Sequence, residues 1–272
     1  MTVCVGALCD GGKSVVVAAD KMVTFGPPMM LQTEPSTLRK ITPLTPESVL
    51  LFSGSMPDGE ELISRTLSKL ASGAKPPIAK VAEAVKIAYI EHKRSRVEET
   101  ILRPLLGVDF AQFQTLVSQS PSSAILIQMM GLIVQHNLQL DALIAGADDK
   151  GAHIYMVTHP GVSVAMDTMG FAAIGSGGIH ASVRITLSKH TKAVGLVETV
   201  HSVFEAKKAA EVAPGVGNLT DMAVIKGGKI CTVEDKLFKT LEGMYKEKPS
   251  LSPEEREKLQ GACGECIKEP TA

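Results

Sequence analysis

Residues 14–19 read Ser-Val-Val-Val-Ala-Ala, an apolar run that ends at Asp20. A half-exposed strand alternates apolar and polar residues, whereas a continuous run is the pattern of a strand covered on both faces. Residues 2–9 are a second β-rich run, and Asp10-Gly11-Gly12 between the two is a hairpin signal. Two more strands are expected over 38–44 and 48–55, joined by Thr45-Pro46-Glu47. The Pro-, Gly- and polar-rich residues 25–37 predict a loop. The segment Ser53-Gly54-Ser55-Met56-Pro57-Asp58 turns from strand to helix. Asp58 is the expected N-cap of a helix over 59–70, whose Leu62, Ile63, Leu67 and Leu70 share one face.

Residues 76–137 read as helical, with Ile78, Val81, Val85 and Ala88 on one apolar face and breaks near Pro104 and Gly107. The run His92-Lys93-Arg94-Ser95-Arg96 reads as a solvated face. Residues 122–138 are apolar nearly all round, which predicts a helix buried in the core or against another subunit. Strands are expected over 141–149, 152–158, 161–165 and 171–174, then the turn Gly175-Ser176-Gly177-Gly178 and a helix over 179–189. An amphipathic helix over 192–210 and a hairpin of 221–226 with 229–233 follow. The charged tail predicts a helix capped by Ser252 with Pro253 at its first position. The expected organisation is one domain over 1–235, with a helical insertion over 93–138, and a helical tail over 236–272.

With 272 residues, 44% of them hydrophobic, the chain can bury one large core. A net charge of −1 lacks the basic excess of a nucleic-acid surface. No apolar run reaches membrane-spanning length and no basic, apolar leader opens the chain. A cytoplasmic protein is expected, with neither nucleic acid nor membrane as partner. Five cysteines show no disulfide framework. Cys263-Gly264-Glu265-Cys266 is compatible with half a zinc site or a redox pair, but no second such pair and no HExxH accompany it, so neither a catalytic metal nor a cofactor is expected. Gly175–Gly178 lacks the following Lys-Ser/Thr of a phosphate-binding loop.

The chemistry concentrates at the start. Thr2 follows a methionine of the kind normally trimmed before a small residue. A threonine at position one carries a hydroxyl that can attack a carbonyl. It also carries an α-amine with a pKa of roughly 7.7–8.0, suited to take the hydroxyl proton. The turn at Gly54 and the helix start behind it offer N–H donors to an anion. Alone, Asp20 reads as a turn residue and Lys40 as a solvent-facing strand lysine.

Taken together, Thr2, Ala18-Ala19-Asp20, Arg39-Lys40-Ile41 and Gly54-x-x-x-Asp58 resemble the proteasome β-subunits and the related bacterial peptidases of HslV type. The spacing from Lys40 to Gly54 matches without a gap. The resemblance covers residues 2–90 and 140–235. It implies an α+β fold, the four-layer αββα sandwich of the N-terminal-nucleophile hydrolases. By the same resemblance Thr2 is the nucleophile and its α-amine the proton acceptor. Lys40 lowers the nucleophile's pKa, Asp20 orients and neutralises Lys40, the Gly54 N–H stabilises the oxyanion, and the Ser176 hydroxyl bonds the α-amine. Thr24 pairs with an extended substrate, and Val23, Leu38, Thr42, Phe52 and Met56 line the pocket for the residue before the scissile bond, which implies apolar selectivity.

The chain departs from the family in three ways. Its first hairpin is two residues longer, and the insertion adds about 40 residues. The family's Asp-x-x-Ser-Gly support segment falls on Glu211-Val212-Ala213-Pro214-Gly215, with proline in place of the serine. The leading expectation is a threonine-type hydrolase of peptides or unfolded protein, acting through an acyl-enzyme on Thr2. Peptide ligation through the same acyl-enzyme and a non-catalytic assembly subunit remain open. A homo-oligomer is expected, and no regulatory or unfoldase partner is specified.

Overall fold

The computed structural model describes residues 2–25, 31–71, 73, 75–245 and 251–268. β1 (Cys4–Cys9) and β2 (Ser14–Asp20) form the expected hairpin, with Cys9 opposite Ser14. Asp10, Gly11 and Gly12 take φ of 53°, 71° and 81° in turn, so the two glycines relieve a run of left-handed backbone. β3 (Val23–Phe25) and β4 (Leu31–Thr33) pair as a small ribbon inside the predicted loop. β5 (Thr42–Thr45), β6 (Ser48–Ser53), β7 (Asp141–Asp148), β8 (Gly151–Thr158) and β9 (Val162–Ala165) form one antiparallel sheet in that order. β10 (Phe171–Ile174), β11 (Thr220–Lys226), β12 (Lys229–Val233) and β13 (Ile267–Lys268) join the first hairpin in a second sheet, ordered β10-β1-β2-β11-β12-β13.

The sheets stack face to face. Leu8, Val15 and Val17 from one meet Val49, Leu51, Leu143 and Ile154 from the other. The outer face of the β5–β9 sheet packs Leu50, Phe52 and Ile144 against α1 (Met56–Lys69) and α2 (Ile78–Val97). Beyond α2 lie α3 (Arg103–Leu106), α4 (Phe110–Gln119) and α5 (Ala124–Gln135), with a small core of their own around Val97, Leu102, Phe113, Leu126 and Met129. The outer face of the other sheet packs Val5, Val16 and Val224 against α6 (Gly178–Leu187) and α7 (Leu196–Ala210). The continuous apolar run of β2 is thus buried between two layers, as its composition requires. α8 (Asp235–Met244) and α9 (Pro253–Cys266) add Leu237, Leu241 and Leu259 to that outer core. A reciprocal cap holds the start of α9: the Glu255 N–H donates to Ser252 Oγ and the Ser252 N–H to Glu255. Cys263 is buried, and the Cys266 side chain lies outside the described residues. The result is the four-layer α+β sandwich. Among the described residues no helix is long and apolar enough to cross a membrane.

Four local expectations are corrected. α1 begins at Met56, and its cap is Ser55, whose hydroxyl accepts the Asp58 N–H. Asp58 lies in the first turn instead, and its carboxylate reaches across to α2. There it accepts from His92 Nε2 at 2.9 Å and from Arg96 at 2.8 and 2.9 Å. The basic run is therefore not wholly solvated: His92 is buried and Arg96 is bound. No break occurs at Pro104. α2 runs on through a π-turn over 98–102, where the Arg103 N–H reaches back to Glu98 O, and the residue without an N–H falls in the turn that follows. Finally, α5 buries only Leu126 and Met129, leaving Ile125, Ile127 and Val134 at 61%, 53% and 74% exposure. Its apolar circumference is not matched by apolar surroundings within this chain.

Burial alone would raise the Asp58 carboxyl. Hydrogen bonds from Arg96, Ser55 and His92 outweigh it and hold the group below its ordinary value of 3.8. A lowered folded value means that the contribution is complete above pH 3.8 and is lost as pH falls through that folded value. Asp58→Ala should lower the free energy of urea unfolding by about 2 kcal/mol at pH 7. The gap to the parent protein should narrow below pH 3.8.

Candidate active site

The end of β2 delivers Asp20 to the sandwich edge with no solvent exposure. A buried carboxylate is costly unless its lone pairs are met, and here both oxygens are. Oδ1 accepts from the Thr2 hydroxyl in a short contact, from the Val3 N–H at 2.9 Å and from Lys40 Nζ at 3.1 Å. Oδ2 accepts from the N–H groups of Met22 at 2.9 Å and Gly217 at 3.2 Å. Lys40 Nζ also lies 2.7 Å from Thr2 Oγ1 and donates to the Met22 carbonyl at 2.6 Å. Thr2, Asp20 and Lys40 form one buried cluster, so the isolated readings of turn residue and solvated lysine are both overturned.

Lys40 stands in the segment before β5, since that strand begins at Thr42 and not near Leu38. What fixes this segment is Asp221, near the start of β11. Its carboxylate accepts from the backbone N–H groups of Lys40 and Ile41 at 3.2 and 3.4 Å and from Arg39 at 2.8 Å. Sequence reading missed this aspartate, because nothing at the head of a strand 181 residues away marks it as a partner.

On the other side, Thr2 N lies 3.2 Å from Ser176 Oγ, and the Gly177 N–H donates to the Thr2 carbonyl at 3.2 Å. Gly175 passes so close to that carbonyl that a Cβ would collide with it. Behind the site, Cys4 donates to the Phe52 carbonyl at 3.4 Å, and burial pushes its thiol up to about 12, so it is a neutral packing group. At the proline in position 214, Ser176 Oγ reaches the Pro214 carbonyl at 3.4 Å, so the backbone there contacts the serine turn. Glu211 does not face Thr2; it binds Lys207 at 2.6 Å and Lys208 at 2.8 Å.

Two cavities flank Thr2. The first, about 290 Å³, is lined by Thr2, Met22, Val23, Thr24, Lys40, Phe52, Gly54 and Met56 among others. Val23, Phe52 and Met56 line it, as does Thr24, whereas Leu38, in the turn after Pro35, and Thr42, paired with Leu50, are not in its lining. The second, about 520 Å³, shares Thr2, Thr24 and Gly54 and adds Asn137, Gln139, Asp141, His159 and Ser176. Gly54 has φ of 131°, and a Cβ there would meet the Gln139 carbonyl oxygen, so only glycine fits where the two cavities join.

Lys207, fully buried in α7, donates to Glu211 and to the Asn218 carbonyl at 2.7 Å. Burial pulls its ammonium below the ordinary lysine value, against the Glu211 bond. It ties the helix to the turn that sends the Gly217 N–H to Asp20. Lys207→Met should destabilise the fold by about 3 kcal/mol, because Glu211 and the turn carbonyl lose their partner. Hydrogen exchange at the Gly217 amide should accelerate more than at β1 amides.

A comparison with curated proteins gives no match. The family model of the proteasome subunit matches residues 2–131, a stretch that opens at Thr2 and takes in Asp20, Lys40 and Gly54. Members of that family typically form oligomeric assemblies, and the family suggests peptidase activity in general terms. Residues 141–233, beyond the match, complete both sheets of the sandwich that it implies. Over residues 2–131 the chain is thus similar to the proteasome subunits, which are N-terminal-nucleophile hydrolases in fold.

Proposed function

We propose that this protein is a threonine-type peptide hydrolase that works through an acyl-enzyme on Thr2 once Met1 is removed. The observation that carries the reading is the convergence on Thr2 of a buried lysine at 2.7 Å from its hydroxyl, a buried carboxylate and a serine at 3.2 Å from its nitrogen. An assembly subunit without chemistry asks for none of these.

Removal of Met1 turns the Thr2 nitrogen into an α-amine that sits beside Ser176. The Thr2 hydroxyl adds to the scissile carbonyl and its proton passes to that amine. The Lys40 ammonium beside the hydroxyl favours the developing alkoxide. Asp20 keeps the ammonium in place and balances its charge. The oxyanion of the tetrahedral adduct takes the Gly54 N–H. The carbon–nitrogen bond then breaks, and the α-amine returns the proton to the departing amine. Water, deprotonated by the same amine, adds to the ester, whose collapse frees the acid and restores Thr2. Phe52, Met56 and Val23 make the first cavity apolar, so it receives an apolar side chain from the residue before the scissile bond.

Intact-mass spectrometry with a threonine-directed electrophile such as a peptide epoxyketone tests this. The protein should lack Met1 and gain one adduct on Thr2. Lys40→Ala and Asp20→Asn should slow labelling and peptide cleavage by roughly a thousand-fold or more. A retained Met1, or a free Thr2 that never labels, would sink the reading.

A further inference from the structure

The second cavity is not explained by the chemistry at Thr2. Its far wall is built by Asn137 and Gln139, where the insertion returns to the sheet, by Asp141 at the head of β7, and by His159 in the turn after β8. Three polar groups there are under-employed. His159 Nδ1 and Thr24 Oγ1 are buried without a hydrogen-bond partner. Among the described residues, no hydrogen bond to the Asp141 carboxylate is formed, although that group is half-buried. Burial raises the carboxyl, and the His159 ring opposes the rise. Buried polar groups are ordinarily satisfied, and the residues that carry these groups line the cavity, so a ligand there can supply what the chain does not.

The position relative to Thr2 says which part of a peptide enters. The α-amine returns its proton to the departing amine, so the fragment beyond the scissile bond leaves on the side of the Thr2 nitrogen. That side is the one held by Ser176, which lines this cavity and not the apolar one. We propose that Asp141 and His159 form a subsite for the first residue after the scissile bond and that it selects arginine. The inference rests on the hydrolase reading above.

Arginine fits because a guanidinium carries five N–H donors in a fixed plane and no acceptor. It can meet the Asp141 carboxylate, and it can donate to His159 Nδ1 in the neutral tautomer with hydrogen on Nε2. An acidic side chain would bring a second anion to a carboxylate already poor in partners. The lysine and arginine that bear electrostatically on His136, the residue before Asn137, are Lys93 and Arg96. Neither lines the cavity, and Arg96 is bound to Asp58 and Glu99.

The test separates binding from turnover. Thr2→Ala protein is titrated with fluorescent peptides that carry leucine before the scissile bond and arginine, alanine or glutamate after it. Arginine should bind roughly tenfold tighter than alanine, with glutamate weakest, as a charge-assisted hydrogen bond in a half-buried site gives. Asp141→Asn should bring arginine and alanine together, and His159→Ala, which keeps the carboxylate, should reduce the gap in part. In the active protein the same ratio should appear in kcat/KM. Equal binding of arginine and alanine, or a preference that survives in both variants, overturns the subsite even where Thr2 labels normally. Failure of Thr2 to label overturns the hydrolase reading and this proposal with it.

Discussion

Everything at this site depends on one buried carboxylate being fully satisfied. Asp20 takes donors from the residues that lead into β1, from its own turn, from the segment before β5 and from the turn after α7. None of these elements is a sequence neighbour of all the others. The carboxylate therefore acts as a clamp: Thr2 and Lys40 are close because both are its ligands. An ammonium held at hydrogen-bond distance from a hydroxyl out of water biases that hydroxyl toward the alkoxide far more than a surface lysine would. The same low dielectric makes each missing donor expensive. The positions of Thr2 and Lys40 thus share one cause.

The clamp needs outer supports, and these are also charged. Asp221 holds the backbone that carries Lys40, and Lys207 holds the turn that carries Gly217. Lys207 lies near the end of α7, on the side of the sheet that α8 and α9 help to cover through Leu237, Leu241 and Leu259, whereas Asp221 alternates onto the other face of β11 with Ala223 and Ile225. The C-terminal helices are remote from Thr2, yet they share a core with the elements that position it.

The path from sequence to this arrangement was legible where chemistry lies on strands with a clear pattern. The apolar run ending at Asp20, and the paired strands that bracket Lys40 and Gly54, place those residues within a short chain distance of the same edge. Ser176 was legible only through the family pattern of its glycine turn. Asp221 and Lys207 were not legible, because a buried charge looks the same in sequence as a surface one until its partner is known. Leu38 and Thr42 were misplaced for a related reason: the strand begins at Thr42, and moving a strand start by a few residues changes which side chains reach a pocket. Asp58 shows the limit of local rules. It has the right type to cap a helix, but Ser55 takes that place and the carboxylate serves a contact with α2 that no local rule contains.

The insertion follows from the same logic of contacts rather than of chain order. Its helices pack mainly on one another, and α5 exposes an apolar face. A second exposed stripe, Ile179, Val183 and Leu187, runs along α6 at helical spacing on the opposite outer layer. The insertion is nonetheless tied to the sandwich at two points. Asp58 binds the α2 residues from which it springs, and Asn137 to Asp141 bring it back into β7 beside Gly54. Because the Gly54 backbone packs against the Gln139 carbonyl, the return of the insertion and the floor between the two cavities are one piece of structure. A segment that stands outside the sandwich for most of its length therefore still shapes the wall of the site where it re-enters.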